Sequence, residues 1–169
     1  MEKSLMFMKN SILTKQTLSE IQQINEETLE YGLKLSENDI KAILETRNTA
    51  LSSNGRVEFG GGLIKKIITA FCDSPFIHQH NYVETITDLV DAFYYFKNET
   101  LEEISDDDLI EFMKDCFNEK CQGDLDLLRY RYLYQLVHNV KYGANDYLKE
   151  DMEEEEFMDD YMDEEGYEE

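Results

Sequence analysis

The chain has 169 residues, of which 16 are basic and 38 acidic, so its formal net charge is −22. This length fits one domain with an appendage, and a hydrophobic content of 41% is enough for a folded core. The acidic excess argues against nucleic acid as a partner, and the lack of any run near 18 apolar residues argues against a membrane partner.

Hydrophobic spacing predicts helices throughout the body of the chain, residues 1–149. The first helix is expected to begin at Thr17, because Thr17 and Glu20 have the spacing of a capping box, and to stop at Gly32. Its weak apolar stripe comprises Leu18, Ile21 and Leu29.

The second helix is expected to start with Ser36, whose spacing from Asp39 repeats the capping pattern, although Asp is not the usual partner there. Its apolar side comprises Ile40, Ile43, Leu44 and Leu51. The remaining four helices are expected to begin after the Gly60–Gly62 run, at Asn81, at Ser105 and at Asp124. Together these elements predict an all-α fold, a compact bundle of about six helices in a single domain over residues 1–149.

The C-terminal segment, residues 150–169, differs from the body in charge. Of its 20 residues 13 are acidic and none is basic, which leaves 25 acidic and all 16 basic residues in the body. Like charges repel and bury little apolar surface, so we expect a disordered acidic tail. Its apolar residues have spacings that would line one side of a transient helix: Met152, Phe157, Met158, Tyr161, Met162 and Tyr167. The tail is either a solubilising segment or one that folds onto a partner with a basic rim.

A glycine-rich segment, Gly55 to Gly62, runs directly into the third helix. Free amide groups at a helix N-terminus favour an anion, and three consecutive glycines let another group approach the backbone closely. The candidate ligand-binding residues are therefore Arg47, Arg56, Glu58, Gly60, Gly61, Gly62 and Lys65. The segment matches neither a Walker A loop nor a dinucleotide-binding fingerprint, and the alternative is a glycine hinge packed under a structural ion pair.

Arg47 is expected on the apolar side of the second helix, because it shares the spacing of that helix's apolar residues. A charged side chain that points inward needs a partner to offset its desolvation. The candidate partners in the chain are Glu58, Asp73 and Glu45, and a bound anion is the other candidate.

Aromatic residues recur at every fourth position of the last helix: Tyr130, Tyr134, His138 and Tyr142. Tyrosine offers a large contact area with little entropy to lose, so these four are candidate partner-binding residues. Arg129 and Arg131 lie beside them in a chain otherwise poor in positive charge. One alternative is that the stripe packs inside the core; another is that the acidic tail folds back on it while no partner is bound.

The three cysteines and three histidines lack the spacing of a zinc site, in which two close ligand pairs are usual. Cys72 and Cys116 lie on apolar stripes and are expected in the core, whereas Cys121 is left open as a nucleophile without an assignable base. We expect no metal, no cofactor and no assignable catalytic residue. The few cysteines favour a reducing compartment and the N-terminus is unlike a secretory signal, so we expect a cytoplasmic protein.

Six strings carry a resemblance to a known family: Tyr31–Leu33, Glu45–Asn48, Gly55–Gly62, Ala70–Pro75, Tyr95–Glu99 and Asp107–Met113. Over roughly residues 15 to 140 the chain resembles a family of small uncharacterised proteins, of unknown function, from Clostridia and related bacteria. The resemblance implies a cytoplasmic bacterial protein and supplies no catalytic residue. The acidic tail lies outside the shared region.

These observations favour a non-enzymatic protein-interaction or regulatory protein that binds another protein through the Tyr130–Tyr142 stripe, the tail or both. A partner with a basic surface would complement the chain's charge. The alternative is a small anionic ligand-binding protein, or an enzyme, that uses the region of Arg47 and Gly60–Gly62. A nucleic-acid mimic, whose carboxylates imitate phosphates, is a third hypothesis, and the oligomeric state is left open.

Overall fold

The computed structural model describes residues 15–53, 60–101 and 103–142. Within these ranges the chain forms helices and no strands, which confirms the predicted all-α bundle of about six helices. No helix in the described ranges is long and apolar enough to span a bilayer. The expected acidic tail, residues 150–169, lies outside the described residues.

The helices follow one another with short connections. Helix α1 covers residues 15–23, a turn lies at Ile24, and a short helix α2 (Asn25–Thr28) leads into a 3₁₀ turn (Leu29–Tyr31). The longer helices are α3 (Glu37–Ser53), α4 (Gly62–Phe71), α5 (Tyr82–Glu99) and α6 (Asp106–Asp115), and α6 continues as a π-helix (Cys116–Lys120). The last helix, α7, consists of three consecutive segments: Leu125–Leu127, a π-helical Leu128–Leu133, and Tyr134–Lys141.

The first helical region differs from its prediction at one end and agrees at the other. Helix α1 already includes residue 15, so the predicted cap at Thr17 is wrong, and Thr17 is a buried residue inside the helix. Leu29 is exposed, because the turn at Ile24 breaks the helical period that placed it with Ile21. The predicted stop at Gly32 is confirmed, since its φ of 74° is left-handed and the helix ends there.

Three predicted caps are confirmed by their hydrogen bonds. The Ser36 amide donates to Asp39 at 2.8 Å and the Asp39 amide donates to the Ser36 hydroxyl at 3.1 Å, so aspartate completes this capping box. The Ser105 hydroxyl and the Asp124 carboxylate each accept from the amide three residues on, both at 3.1 Å. Asn81 precedes α5 without capping it, because its side chain bonds back to the loop before it.

Helix α5 forms the centre of the bundle and packs against α3, α4, α6 and α7. Ile86, Leu89 and Phe93 of α5 have no exposed surface. Burying a side chain of this size stabilises the fold by about 1.5–3 kcal/mol. Seven residues of α7 have the spacing predicted to point inward. Leu125 is only partly buried, and the other six are buried in the same core: Leu128, Tyr132, Leu133, Leu136, Val137 and Val140.

A tight turn between α6 and α7 fixes where α7 begins. Gly123 has a left-handed φ of 85°, and a Cβ there would lie 2.6 Å from the Cβ of Phe76, so the loop before α5 touches the backbone of this turn. Only glycine combines this conformation with this close approach. The turn therefore holds the start of α7 against the body.

Candidate functional site

Arg47, the first residue of the predicted ligand site, points into the protein. It is 5% exposed, its guanidinium donates through Nη1 to the carbonyl of Gly60, and Nε donates to Oδ1 of Asn48 at 3.4 Å. The predicted inward orientation is therefore confirmed, and the two acceptors are neutral oxygens. Of the predicted partners, Asp73 lies 3.8 Å from Lys114, and Glu58 lies outside the described residues.

Helix α1 covers the glycine run at the N-terminus of α4. The amide of Gly61 donates to a carboxylate oxygen of Glu20 at 3.4 Å. A Cβ on Gly61 would lie 2.9 Å from Cγ1 of Ile21, whereas Gly62 has nothing within 4 Å. Helix α1 of the protein itself therefore makes the close approach to the backbone that is expected of a ligand. The Glu20 carboxylate lies where an anion is expected, at the N-terminus of α4.

We call Arg47, Gly60, Gly61, Gly62 and Lys65 the glycine–arginine region. Lys65 is half-buried in the first turn of α4 and lines an open groove of about 680 Å³ between α4 and α6. Its neighbour Lys66 bonds Asp107 across this groove at 3.0 Å. Arg56 and Glu58, the other predicted ligand-binding residues, lie outside the described residues.

The second candidate site is an exposed stripe on α7, and we call Tyr130, Tyr134, His138 and Tyr142 the aromatic face. The three tyrosines are 68%, 64% and 78% exposed, so the alternative that they pack in the core is wrong. The rings of His138 and Tyr142 lie 4.5 Å apart. These side chains therefore present an aromatic surface to solvent, on a helix whose opposite side is buried in the core.

The π-helical segment of α7 helps to align this stripe. In a straight α-helix with 3.6 residues per turn, side chains at every fourth position drift around the axis. A π-helix bonds each residue to one five positions away, so its turn is wider. Because this segment includes Tyr130 and ends just before Tyr134, it offsets part of the drift and keeps the face on one side.

Ion pairs connect α7 to α5 at both ends of the aromatic face. Arg129 lies 3.1 Å from a carboxylate oxygen of Asp91, and Lys141 lies 3.3 Å from one of Glu99. Tyr95, between those two acids on α5, is 54% exposed. Sequence reasoning missed Tyr95, and its four-residue spacing from Asp91 and Glu99 is the signal that places it on the same side of α5.

The charge around the aromatic face changes from one end to the other. At the Tyr130 end, Asp88, Asp91 and Asp126 line a notch of about 180 Å³ between α5 and α7, together with Arg129. Partial desolvation raises the pKa of Asp88, and the neighbouring carboxylates add to this while Arg129 opposes it. From Leu127 to Tyr142 the sequence contains three basic residues and no acidic one: Arg129, Arg131 and Lys141.

The cysteines do not form a reactive or metal-binding centre in the part of the chain that is described. That part contains no group of three or more His, Cys, Asp or Glu residues that could hold a metal ion. Cys72, Cys116 and Cys121 are buried and form no disulfide, and burial raises the pKa of the Cys72 thiol. The buried position of Cys121 gives a substrate no access to its sulfur, so its role as a nucleophile has no support.

The fold and the face together define a small all-α domain that carries an exposed aromatic stripe on its last helix. The chain belongs to a family of unknown function, DUF6323, which it matches over residues 20–146. The predicted membership of an uncharacterised family is thereby confirmed, and the match includes the aromatic face and excludes the acidic tail. No curated protein and no solved structure matches the chain.

Proposed function

We propose that this protein is a non-enzymatic interaction or regulatory protein that docks another protein on the aromatic face. The exposure of Tyr130, Tyr134 and Tyr142 on a helix anchored in the core carries the proposal. Tyrosines held on a firm helix bind with little loss of conformational entropy, and a grouped exposed aromatic surface is typical of interaction sites.

The charge pattern supports a partner with a basic surface. The acidic notch formed by Asp88, Asp91 and Asp126 adjoins Tyr130, so a Lys or Arg of a partner would meet carboxylates and an aromatic ring together. The net charge of −22 would also steer a basic partner towards the molecule and make the association rate sensitive to salt.

We further propose that the protein works in the bacterial cytoplasm. The three cysteines are buried and form no disulfide, which suits a reducing compartment. The family expected from the sequence supports a bacterial source.

Affinity capture with matched variants tests the proposed function. The whole chain, a Tyr134→Ala/Tyr142→Ala variant and a Tyr31→Ala control are used as baits in lysate of the native cell. Tyr31 is a half-exposed tyrosine on a different element, so its replacement matches the chemistry without touching the face. We expect a partner captured by the whole chain and the control, and lost from the double variant at an unchanged melting temperature.

Retention of every captured protein by the double variant would contradict docking on the aromatic face. A chain that ends at Lys149 separates the two candidate surfaces. Capture by the whole chain alone would assign recognition to the acidic tail, whereas capture by both would assign it to the body.

A further inference from the structure

The last helix carries a basic stretch in a strongly acidic protein. Three of the 16 basic residues fall between Leu127 and Tyr142, and none of the 38 acidic residues does. Two of the three, Arg131 and Lys141, flank the half of the aromatic face that runs from Tyr134 to Tyr142. This half of the face therefore suits an occupant with both acidic and apolar side chains.

We infer that this occupant is the protein's own C-terminal segment, residues 150–169, which lies over Tyr134, His138 and Tyr142 while no partner is bound. The inference deepens the proposed function, because a partner that docks on the aromatic face then has to displace the segment. The tail thereby regulates access to the site.

The composition of the segment complements the face in two ways. Its 13 acidic residues suit the basic flank, and Phe157, Tyr161 and Met162 supply apolar surface for the tyrosines. Lys141, one of the two basic residues beside this half of the face, can take part in this contact. Its pair with Glu99 is partly exposed, with side-chain exposures of 48% and 33%, and such surface pairs are weak enough to share or exchange a carboxylate.

The position of the segment makes contact within one molecule favourable. Seven residues, 143–149, separate it from Tyr142, and an extended chain of that length reaches about 25 Å. The helix from Tyr130 to Tyr142 is about 18 Å long, so the segment can reach every part of the face. A short tether of this kind gives an effective concentration on the order of millimolar.

The charge pattern also predicts where on the face the segment lies. The carboxylates of Asp88, Asp91 and Asp126 outnumber the Arg129 cation in the notch at the Tyr130 end and repel an acidic chain. At the Tyr142 end, by contrast, Glu99 is matched by Lys141. Contact should therefore concentrate at the Tyr142 end, and Tyr130 should be left accessible. A partner with a basic surface would first meet the acidic end and then displace the segment from the other end.

Backbone NMR of the whole 169-residue chain tests this inference. Amide resonances are compared between the natural chain and a Phe157→Ser/Tyr161→Ser variant, whose changes lie far along the chain from every core residue. We expect shifts at residues 134–142 and none at Leu29 and Tyr31, which are exposed hydrophobic residues on another element. Raising the NaCl concentration from 50 to 500 mM should move the natural chain's resonances towards those of the variant.

Shifts confined to residues 150–169 would overturn the inference. Shifts at 134–142 that disappear on dilution would also overturn it, because they would assign the contact to the tail of a second copy. The NMR and capture experiments distinguish failure of this inference from failure of the proposed function. Loss of a partner from the Tyr134→Ala/Tyr142→Ala variant without any tail-dependent shift refutes tail docking alone, and tail-dependent shifts with unchanged capture refute the proposed function alone.

Discussion

The glycine–arginine region and the aromatic face both contain residues that break the pattern around them, and the protein uses them in opposite ways. In the glycine–arginine region, Arg47 is buried and donates to Gly60, while Glu20 and Ile21 cover Gly61. In the aromatic face, the tyrosines extend into solvent. In the first region the charged and glycine residues stabilise the fold, whereas in the second the aromatic residues remain available to another molecule.

The difference follows from what each residue type requires. A buried guanidinium or a buried amide N–H destabilises the protein unless it finds a hydrogen-bond acceptor, so the fold supplies one. An exposed tyrosine loses little by contact with water, so the fold has no need to cover it. A charged or polar residue on the apolar side of a helix therefore indicates a hydrogen bond inside the protein. Aromatic residues that lie beyond the core side of a helix indicate a binding surface.

The largest effect on stability is expected at Arg47, so this residue gives the strongest test of the difference between the two regions. Replacing Arg47 with Ala removes a charge-assisted hydrogen bond and a buried side chain, and leaves the Gly60 carbonyl without this donor. We expect the free energy of unfolding to fall by about 3 kcal/mol in urea denaturation. The control, Lys41→Ala, removes a half-exposed pair with Glu37 and should change it by less than about 0.5 kcal/mol.

A different result at Arg47 would show that the glycine–arginine region binds a ligand and does not only stabilise the fold. If Arg47→Ala unfolds like the natural chain, and phosphate raises the melting temperature of the natural chain only, the region binds an anion.

The glycines offer a matched pair within one helix start. A methyl group on Gly61 would press on Ile21, so Gly61→Ala should destabilise the protein by about 2 kcal/mol. Gly62 begins α4 with open space around it, so Gly62→Ala should leave stability unchanged or raise it by about 0.5 kcal/mol. Equal effects of the two changes in thermal or urea unfolding would show that α1 does not pack on Gly61.

Tyr82 tests whether every inward polar group is satisfied. Its hydroxyl is buried and makes no hydrogen bond of normal geometry within the described structure. Burial raises the pKa of Tyr82 to about 12 from an ordinary 10.0, and the nearby Thr28 hydroxyl, which itself donates to the Leu33 carbonyl, opposes part of the shift. The unfolded chain loses this proton first, so the protein keeps its stability below pH 10 and loses part of it as the pH rises from 10 to about 12.

Tyr82→Phe should remove that loss and raise stability at pH 7 by up to about 1 kcal/mol, because it deletes an unpaired buried hydroxyl. Urea unfolding of both proteins at pH 7, 10 and 11 measures the difference. A destabilised Tyr82→Phe variant at pH 7 would mean that the hydroxyl does make a bond in solution.

The smallest effect on stability is expected at the aromatic face. Tyr134→Ala and Tyr142→Ala should each change the free energy of unfolding by less than about 0.5 kcal/mol, because both side chains are exposed. Tyr132, a buried neighbour on the same helix, is the matched control, and Tyr132→Ala should cost about 3 kcal/mol. Similar losses at all three positions would mean that the face is part of the core.

The parts of the fold that could be predicted from the sequence depend on local interactions. The Gly32 stop and the Ser36–Asp39 box involve residues within a few positions, so their spacing is enough to identify them. The inward position of Arg47 follows from helical period alone. The predicted cap at Thr17 is wrong because a short polar residue also fits inside a helix, and the sequence does not show which position it takes.

The candidate sites could not be fully predicted from the sequence, because they depend on contacts between residues far apart in the chain. The acceptor of Arg47 lies 13 residues away in the glycine run. This acceptor is a backbone carbonyl, which every residue has, so the sequence of side chains does not indicate it. The exposure of the aromatic face depends on how much of α7 is covered by α5, and that packing joins residues about 40 positions apart, as the Arg129–Asp91 and Lys141–Glu99 pairs show. The π-helical segment has no signature in spacing, and it decides which side chains of α7 share a side.

That segment makes α7 tolerant of a deletion at one place along its length. Removing one residue between Leu128 and Leu133 would let the wide turn relax to an ordinary one, and five α-helical residues turn about as far around the axis as six π-helical ones. The helix after it would therefore keep its orientation, with Leu136 and Val140 in the core and Tyr134 and Tyr142 outside. A deletion between Tyr134 and Lys141, an α-helical segment without a wide turn to absorb it, would instead rotate the rest of the helix by about 100° and take its apolar residues out of the core.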